Sequence, residues 1–159
     1  MSVIDLNQAQ LLFQQFAQTK VPMIGFCQPV LEQLNTAGCE ISIPYSDQTI
    51  NHVNSLYFGA LAVGADITAG FLAIFLGQKS DHYVELMFKN FQAEFKQRAM
   101  ATTHFYCDQG ALIASMIEET ISSKERVSQP IRVIAKTPEI SDDVVAEFVL
   151  TLCLKCKDR

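Results

Sequence analysis

The longest apolar run of the sequence covers residues 56–77, LYFGALAVGADITAGFLAIFLG, and its only charged residue is Asp66. Its length would suit a membrane span. However, an aspartate at the centre of a bilayer costs about 2.5–3.5 kcal/mol, and four glycines interrupt the run. A helix that is apolar on all sides can also be one that its own protein surrounds. We therefore predict a buried central helix over about residues 56–77.

The N-terminal segment has the spacing of an amphipathic helix. Asp5 and Gln8 are placed as a capping box, and apolar residues then recur every three or four positions. This pattern predicts a helix over residues 5–18. Pro22, Gly25 and Pro29 follow and predict a loop.

Most of the remaining chain has the alternating pattern of half-buried strands. In the last strand, apolar residues occupy every second position from Val144 to Leu154, as in an antiparallel strand with one buried face. Asp108 is placed to cap a second amphipathic helix. The predicted strands are 30–34, 40–44, 83–95, 99–107, 130–137 and the last strand from 144.

These elements predict an α+β fold in which an antiparallel sheet wraps around the long hydrophobic helix, with an added N-terminal helix. We expect one domain over residues 1–159, since no linker or repeat interrupts the pattern. Sheet can cover only one side of the central helix. The natural cover for its other side is a second subunit, so we expect a homodimer or a dimer of dimers.

The net charge and the cysteines indicate which partners and which cellular compartment to expect. The net charge is −5 and the lysines and arginines are scattered, so nucleic acid and anionic membranes are poor partners. We expect no secretory signal in MSVIDLNQAQ, and five cysteines without secretory context favour free thiols in the cytoplasm. Cys153 and Cys156 form a C-x-x-C pair, but positions three apart on a strand face opposite sides. We therefore expect them to be structural and expect no metal site.

The start of the central helix resembles a known family. Asn51, Ser55, Gly59-Ala60-Leu61 and Asp66 are similar to the signature of hotdog-fold acyl-CoA thioesterases. Within this family the sequence most resembles the phenylacetic-acid-degradation branch, and a related match is the thioesterase-like domain appended to some bacterial acetyltransferases. The order of elements resembles this family over about residues 25–157, whereas the specific motif lies within 51–66.

The resemblance implies a catalytic site shared by two subunits. Asp66 would activate a water molecule or attack the thioester directly, and the Gly59 amide of the partner subunit would polarise the carbonyl. Asn51 would orient the carboxylate or the water. Two groups seven residues apart lie about 10 Å apart along one helix, so one protomer alone cannot supply both. The resemblance implies no metal or organic cofactor, and the expected substrate-binding residues are His52, Asn54, Ser55, Tyr57 and Phe58.

Other interpretations remain open at this point. Asp66 could be a hydrogen-bonded carboxylate that fixes the dimer register, Asn51 a turn residue and Gly59 a packing glycine. Asn54 and Phe58 stand where the family usually has glycine, which motivates a non-catalytic acyl-thioester or lipid-binding protein as the alternative. A hotdog dehydratase or hydratase would need a histidine beside the carboxylate, and His52 lacks the expected flanking residues.

Overall fold

The computed structural model describes residues 6–157, in which four helices accompany one six-stranded sheet. The predicted cap Asp5 lies outside these residues, and one domain over residues 1–159 stays a prediction. In chain order the elements are α1 (Leu6–Thr19), α2 (Pro22–Phe26), β1 (Val30–Leu34), β2 (Cys39–Ile43), α3 (Phe58–Gly77), β3 (Tyr83–Phe95), β4 (Thr103–Cys107), α4 (Gly110–Ser123), β5 (Arg126–Thr137) and β6 (Ser141–Lys157).

The sheet is antiparallel throughout, in the order β1-β2-β4-β5-β6-β3. The 17-residue strand β6 pairs with β5 on one side and with β3 on the other. Phe148, Leu150, Leu152 and Leu154 are buried, as their alternation predicts. β3 is an edge strand of 13 residues, and most of its side chains are exposed.

Helix α3 is the centre of the core. Of its 20 residues, 12 are buried, and it packs against β2, β4, β5, β3 and α4. Among the described residues α3 is the one helix long and apolar enough to span a bilayer, and 67% of that window is buried inside the protein. Burial by its own sheet identifies α3 as a core helix, as predicted.

Helix α1 covers part of the face of α3 that the sheet leaves free. Phe13 is fully buried and meets Phe71 of α3 edge to face, with ring centroids 4.9 Å apart. Phe16 contacts the same ring at 6.3 Å. The N-terminal helix therefore supplies some of the cover that the sequence assigned to a second subunit.

Several local predictions were wrong. The predicted loop after residue 20 contains α2, which begins at Pro22, because proline at the first helical position costs no hydrogen bond. Strand β4 begins at 103 instead of 99, and the carbonyl of Ala99 accepts from Leu56 N–H. Asp108 does not cap α4, whose N-cap residue is Gln109 without a side-chain cap. Helix α3 begins at Phe58, two residues later than predicted.

Candidate functional site

Asn51 organises the loop that leads into α3. Its Oδ1 accepts hydrogen bonds from the backbone N–H groups of Val53 and Ser55, at 3.0 and 3.1 Å. Its Nδ2 lies 3.1 Å from Ser55 Oγ, and its own N–H donates to Ser55 O at 2.8 Å. A side chain that replaces backbone partners in this way is an Asx turn. Within one protomer, both polar ends of the Asn51 side chain are thus used to hold the turn.

Asn54 has the backbone conformation for which glycine is usually chosen. Its φ of 55° lies in the left-handed region, which asparagine tolerates better than most residues. Tyr45 Oη donates to Asn54 O at 2.7 Å and steadies the same turn. The chain therefore keeps the glycine-like loop geometry without the glycine. His52 lies beside it and is exposed.

The first turn of α3 presents unpaired donors. Tyr57 is the N-cap residue and makes no side-chain cap. Within the described residues, the N–H groups of Phe58, Gly59 and Ala60 have no acceptor, and intrahelical bonding begins at Leu61 N–H. Such a helix start carries a partial positive charge suited to an oxyanion.

Aromatic rings surround this helix start. A Cβ at Gly59 would lie 2.3 Å from Cε1 of Tyr57, so glycine is needed for the Tyr57 ring to lie against the backbone. Tyr57 and Phe58 are exposed, and their centroids are 4.8 Å apart. Gly59 thus has a packing role whether or not its amide contacts a substrate.

Asp66 occupies the middle of α3, two helical turns further on. Its side chain is half-buried and makes no hydrogen bond or ion pair with any residue between 6 and 157. Burial raises the pKa of Asp66, and no cation within the described part of the chain counteracts this effect. A carboxylate without partners in apolar surroundings is costly to keep for stability alone.

Asp66 lines a cavity of about 940 Å³. Four parts of the chain line it: the α1–α2 segment, one face of α3, the turn that follows α3, and the first half of β3. Asn51, Ser55 and Phe58 line a separate hollow of about 360 Å³, together with Phe95 and Arg98. One protomer therefore does not bring Asn51 and Asp66 into the same cavity, and Gly59 and Tyr57 line neither of these two spaces.

Sequence reasoning missed the contribution of the α1–α2 segment to the Asp66 cavity. Phe16, Val21 and Ile24 form that wall, and they come from a region predicted as the end of a helix and a loop. A usable signal was present on α3 itself, because Asp66, Gly70 and Gly77 recur at helical spacing on one face. The small residues of that face leave space beside the carboxylate.

An antiparallel sheet wrapped around a long apolar helix defines a hotdog fold. Residues 9–153 match the family described as a domain of unknown function, DUF4442, and the chain belongs to this family. No curated protein matches the sequence.

Solved structures confirm the fold. A protein of unknown function from Chlorobaculum tepidum superposes with a TM-score of 0.82 and 11% identity, over 95% of this chain and 96% of the other. A thioesterase from Haemophilus influenzae gives 0.65 and 9%, over 92% and 90%. A variant of a thioesterase from Pseudomonas aeruginosa gives 0.67 and 11%, over 98% and 97%. At these identities the likeness establishes the architecture of the chain.

Proposed function

We propose that this protein is a thioesterase that hydrolyses an acyl-CoA or another acyl thioester, as the phenylacetic-acid-degradation branch does. The observation that carries the proposal is Asp66, a half-buried carboxylate that has no polar partner among residues 6–157 and lines a large, mainly apolar cavity. Proteins named as thioesterases share the fold around it. No metal or organic cofactor is needed for this chemistry.

The reaction follows from the two polar features of α3. Asp66 accepts a proton from a water molecule, and the water oxygen attacks the thioester carbonyl carbon. The raised pKa of Asp66 makes it a better proton acceptor than an ordinary aspartate. The carbonyl oxygen becomes an oxyanion, which unpaired N–H groups at the start of a helix stabilise. The carbon–sulfur bond then breaks, and the thiolate takes up the proton. Direct attack by Asp66 would use the same two features.

The donors must come from a second subunit. Gly59 and Asp66 are seven residues apart on α3, so they lie about 10 Å apart along its axis. A homodimer would place Asp66 of one protomer beside Gly59 of the partner subunit. Two surfaces support such a dimer: the half-buried face of α3 around Val63 and Asp66, and the long unpaired edge of β3 with exposed Tyr83 and Met87. Unpaired edges of this length readily add another strand.

Sedimentation tests the dimer. The wild-type protein should sediment as a dimer or a dimer of dimers. Met87→Lys puts a charge on the β3 edge and should shift the protein toward monomer. Ile140→Lys is the matched control, because Ile140 is at least as exposed (60% against 50%) but lies outside β3. A stable wild-type monomer would contradict the shared site.

A non-catalytic acyl-thioester or lipid-binding protein is the second candidate. It is favoured by Asn51, whose polar atoms hold the turn, and by the aromatic rings of Tyr57 and Phe58 at the start of α3. Such rings would narrow access to the amides. All five cysteines are free and buried, so we place either activity in the reducing cytoplasm, in a single domain over residues 1–159.

Thiol release from acyl-CoAs of different chain lengths separates the two candidates. The proposal expects the purified protein to turn over at least one of them without added metal. Saturable binding of a CoA ester without any thiol release would favour the binding protein. If the protein neither binds nor hydrolyses any acyl-CoA, both candidates fail.

A further inference from the structure

Most side chains that line the Asp66 cavity are apolar, and its charged lining residues besides Asp66 are Lys20 and Glu85. Lys20 is exposed, and the carboxylate of Glu85 is 3.3 Å from Lys157 Nζ. The apolar lining includes Phe16 and Ile24 of the α1–α2 segment and Leu86 and Phe88 of β3. A ligand bound here would therefore be hydrophobic along most of its length, with one polar group beside Asp66.

The α3 wall of the cavity lacks side chains at two positions. A Cβ at Gly77 would meet no atom within 4 Å, and one at Gly70 would meet only Cε2 of Phe88, at 3.6 Å. The space beside Gly70 thus accepts a methyl-sized group and is bounded by Phe88. Gly70, Ala73 and Gly77 follow Asp66 on the same helix face, so this space continues from the carboxylate toward the end of α3.

The length of the passage, the space along α3 from Asp66 to Gly77, indicates how long a bound hydrocarbon chain can be. Gly77 lies eleven positions after Asp66, which is about 16 Å along a helix. An extended hydrocarbon advances about 1.25 Å per carbon for bonds near 1.5 Å, so about 13 carbons span the passage. Beyond Gly77 the lining becomes polar, with Gln78, Ser80 and His82. A longer chain would place methylenes against polar groups.

We infer that the cavity binds the unbranched, medium-length acyl chain of the thioester, with its carbonyl at Asp66 and its tail running past Gly70 toward Gly77. Gly70 and Gly77 determine which chain lengths fit. The α1–α2 segment, through Phe16 and Ile24, forms the outer wall of this acyl site. The inference rests on the proposed function for the identity of the head group, but the binding of the tail is independent of hydrolysis.

The test is a chain-length series on substituted proteins. Gly70→Ala fills the space beside Phe88, and Gly77→Ala fills the far end of the passage. Ala111→Leu is the control, because it adds a side chain to an exposed helical position that lines none of the described cavities. For each protein, kcat/KM is measured with butyryl-, octanoyl-, dodecanoyl- and hexadecanoyl-CoA. Binding is measured by calorimetry with thioether analogues, which cannot be hydrolysed.

Gly70→Ala should lower both kcat/KM and affinity for the dodecanoyl compound by about 10-fold or more, the usual effect of excluding one methylene. The butyryl compound ends before Gly70 and should be unaffected. Gly77→Ala should affect only the compounds whose chains reach the end of the passage, and Ala111→Leu should affect none.

Two results would overturn the inference: equal effects on all chain lengths, or no effect of Gly70→Ala on a protein that hydrolyses dodecanoyl-CoA. In both cases the thioesterase proposal would stand. Conversely, a protein without turnover whose analogue binding shows the expected dependence on Gly70 would support the acyl site and refute hydrolysis alone.

Discussion

Two glycines of α3 should respond oppositely to the same substitution. Gly64 faces the sheet, and a Cβ there would lie 2.3 Å from Cε2 and Cζ of Phe105. Phe105 is fully buried in β4, and its ring is 6.3 Å from that of Phe148. It cannot turn away without disturbing the core. Gly70 faces the cavity instead, where a Cβ would make one ordinary contact.

Whether alanine stabilises the protein at each glycine depends on the gain in helix propensity and on the cost of overpacking. Replacing glycine by alanine inside a helix gains about 0.5–1 kcal/mol. Overpacking of a core costs about 1–3 kcal/mol, so Gly64→Ala should lower the free energy of unfolding by roughly 1–2 kcal/mol. Gly70→Ala should raise it by about 0.5–1 kcal/mol, since nothing offsets the gain.

Urea and thermal unfolding measure both changes. At about 2–4 °C per kcal/mol for a chain of this size, Gly64→Ala should lower Tm by roughly 2–8 °C and Gly70→Ala should raise it by about 1–4 °C. The urea m-value should stay constant, which shows that stability alone has changed. A Gly64→Ala protein at least as stable as wild type, or shifts of the same sign at both glycines, would refute the packing described here.

Three further predictions concern polar groups. Because burial raises the pKa of Asp66, the free energy of unfolding should fall as pH rises from about 4, the pKa of aspartate in the unfolded chain, through the pKa in the folded protein. Asp66→Asn removes this loss, so the variant should exceed wild type in unfolding free energy by more at neutral pH than at acidic pH. A difference that does not depend on pH would contradict the prediction. Asn54→Gly should leave stability nearly unchanged, whereas Asn54→Ala should cost about 1 kcal/mol at the left-handed φ; equal urea midpoints for the two variants would argue against this explanation. Thr120 Oγ1 donates to Glu125 O at 2.6 Å and accepts from Cys156 N–H at 2.9 Å, so Thr120→Val should cost about 1–3 kcal/mol in urea unfolding, while Thr120→Ser should keep most of the stability.

The sequence was most informative where local pattern and tertiary burial agree. The alternation of β6 and the apolar run of α3 reflect a one-sided strand and a surrounded helix, and both are present. Strand β4 was predicted four residues too long, because Ala99 and Ala101 are buried outside the sheet. Burial alone does not distinguish a paired strand from a buried loop.

The candidate site was less predictable because it depends on distant parts of the chain. The α1–α2 segment reaches the Asp66 cavity through packing of Phe13 and Phe16 on Phe71, which no local pattern encodes. The resemblance indicated Asn51, but only the hydrogen bonds show that its side chain holds the turn. Conversely, Asn54 differs from the glycine of the family and yet adopts the conformation that glycine would.

The most direct test of the account is the rate of thiol release from the best acyl-CoA substrate by wild type and by Asp66→Asn. Asparagine keeps the size of the side chain but cannot accept a proton from water at neutral pH. We expect Asp66→Asn to lower kcat by about 100-fold or more, the usual contribution of a general base, in a protein that remains folded and binds the thioether analogue. Turnover by Asp66→Asn close to that of wild type would contradict the role of Asp66.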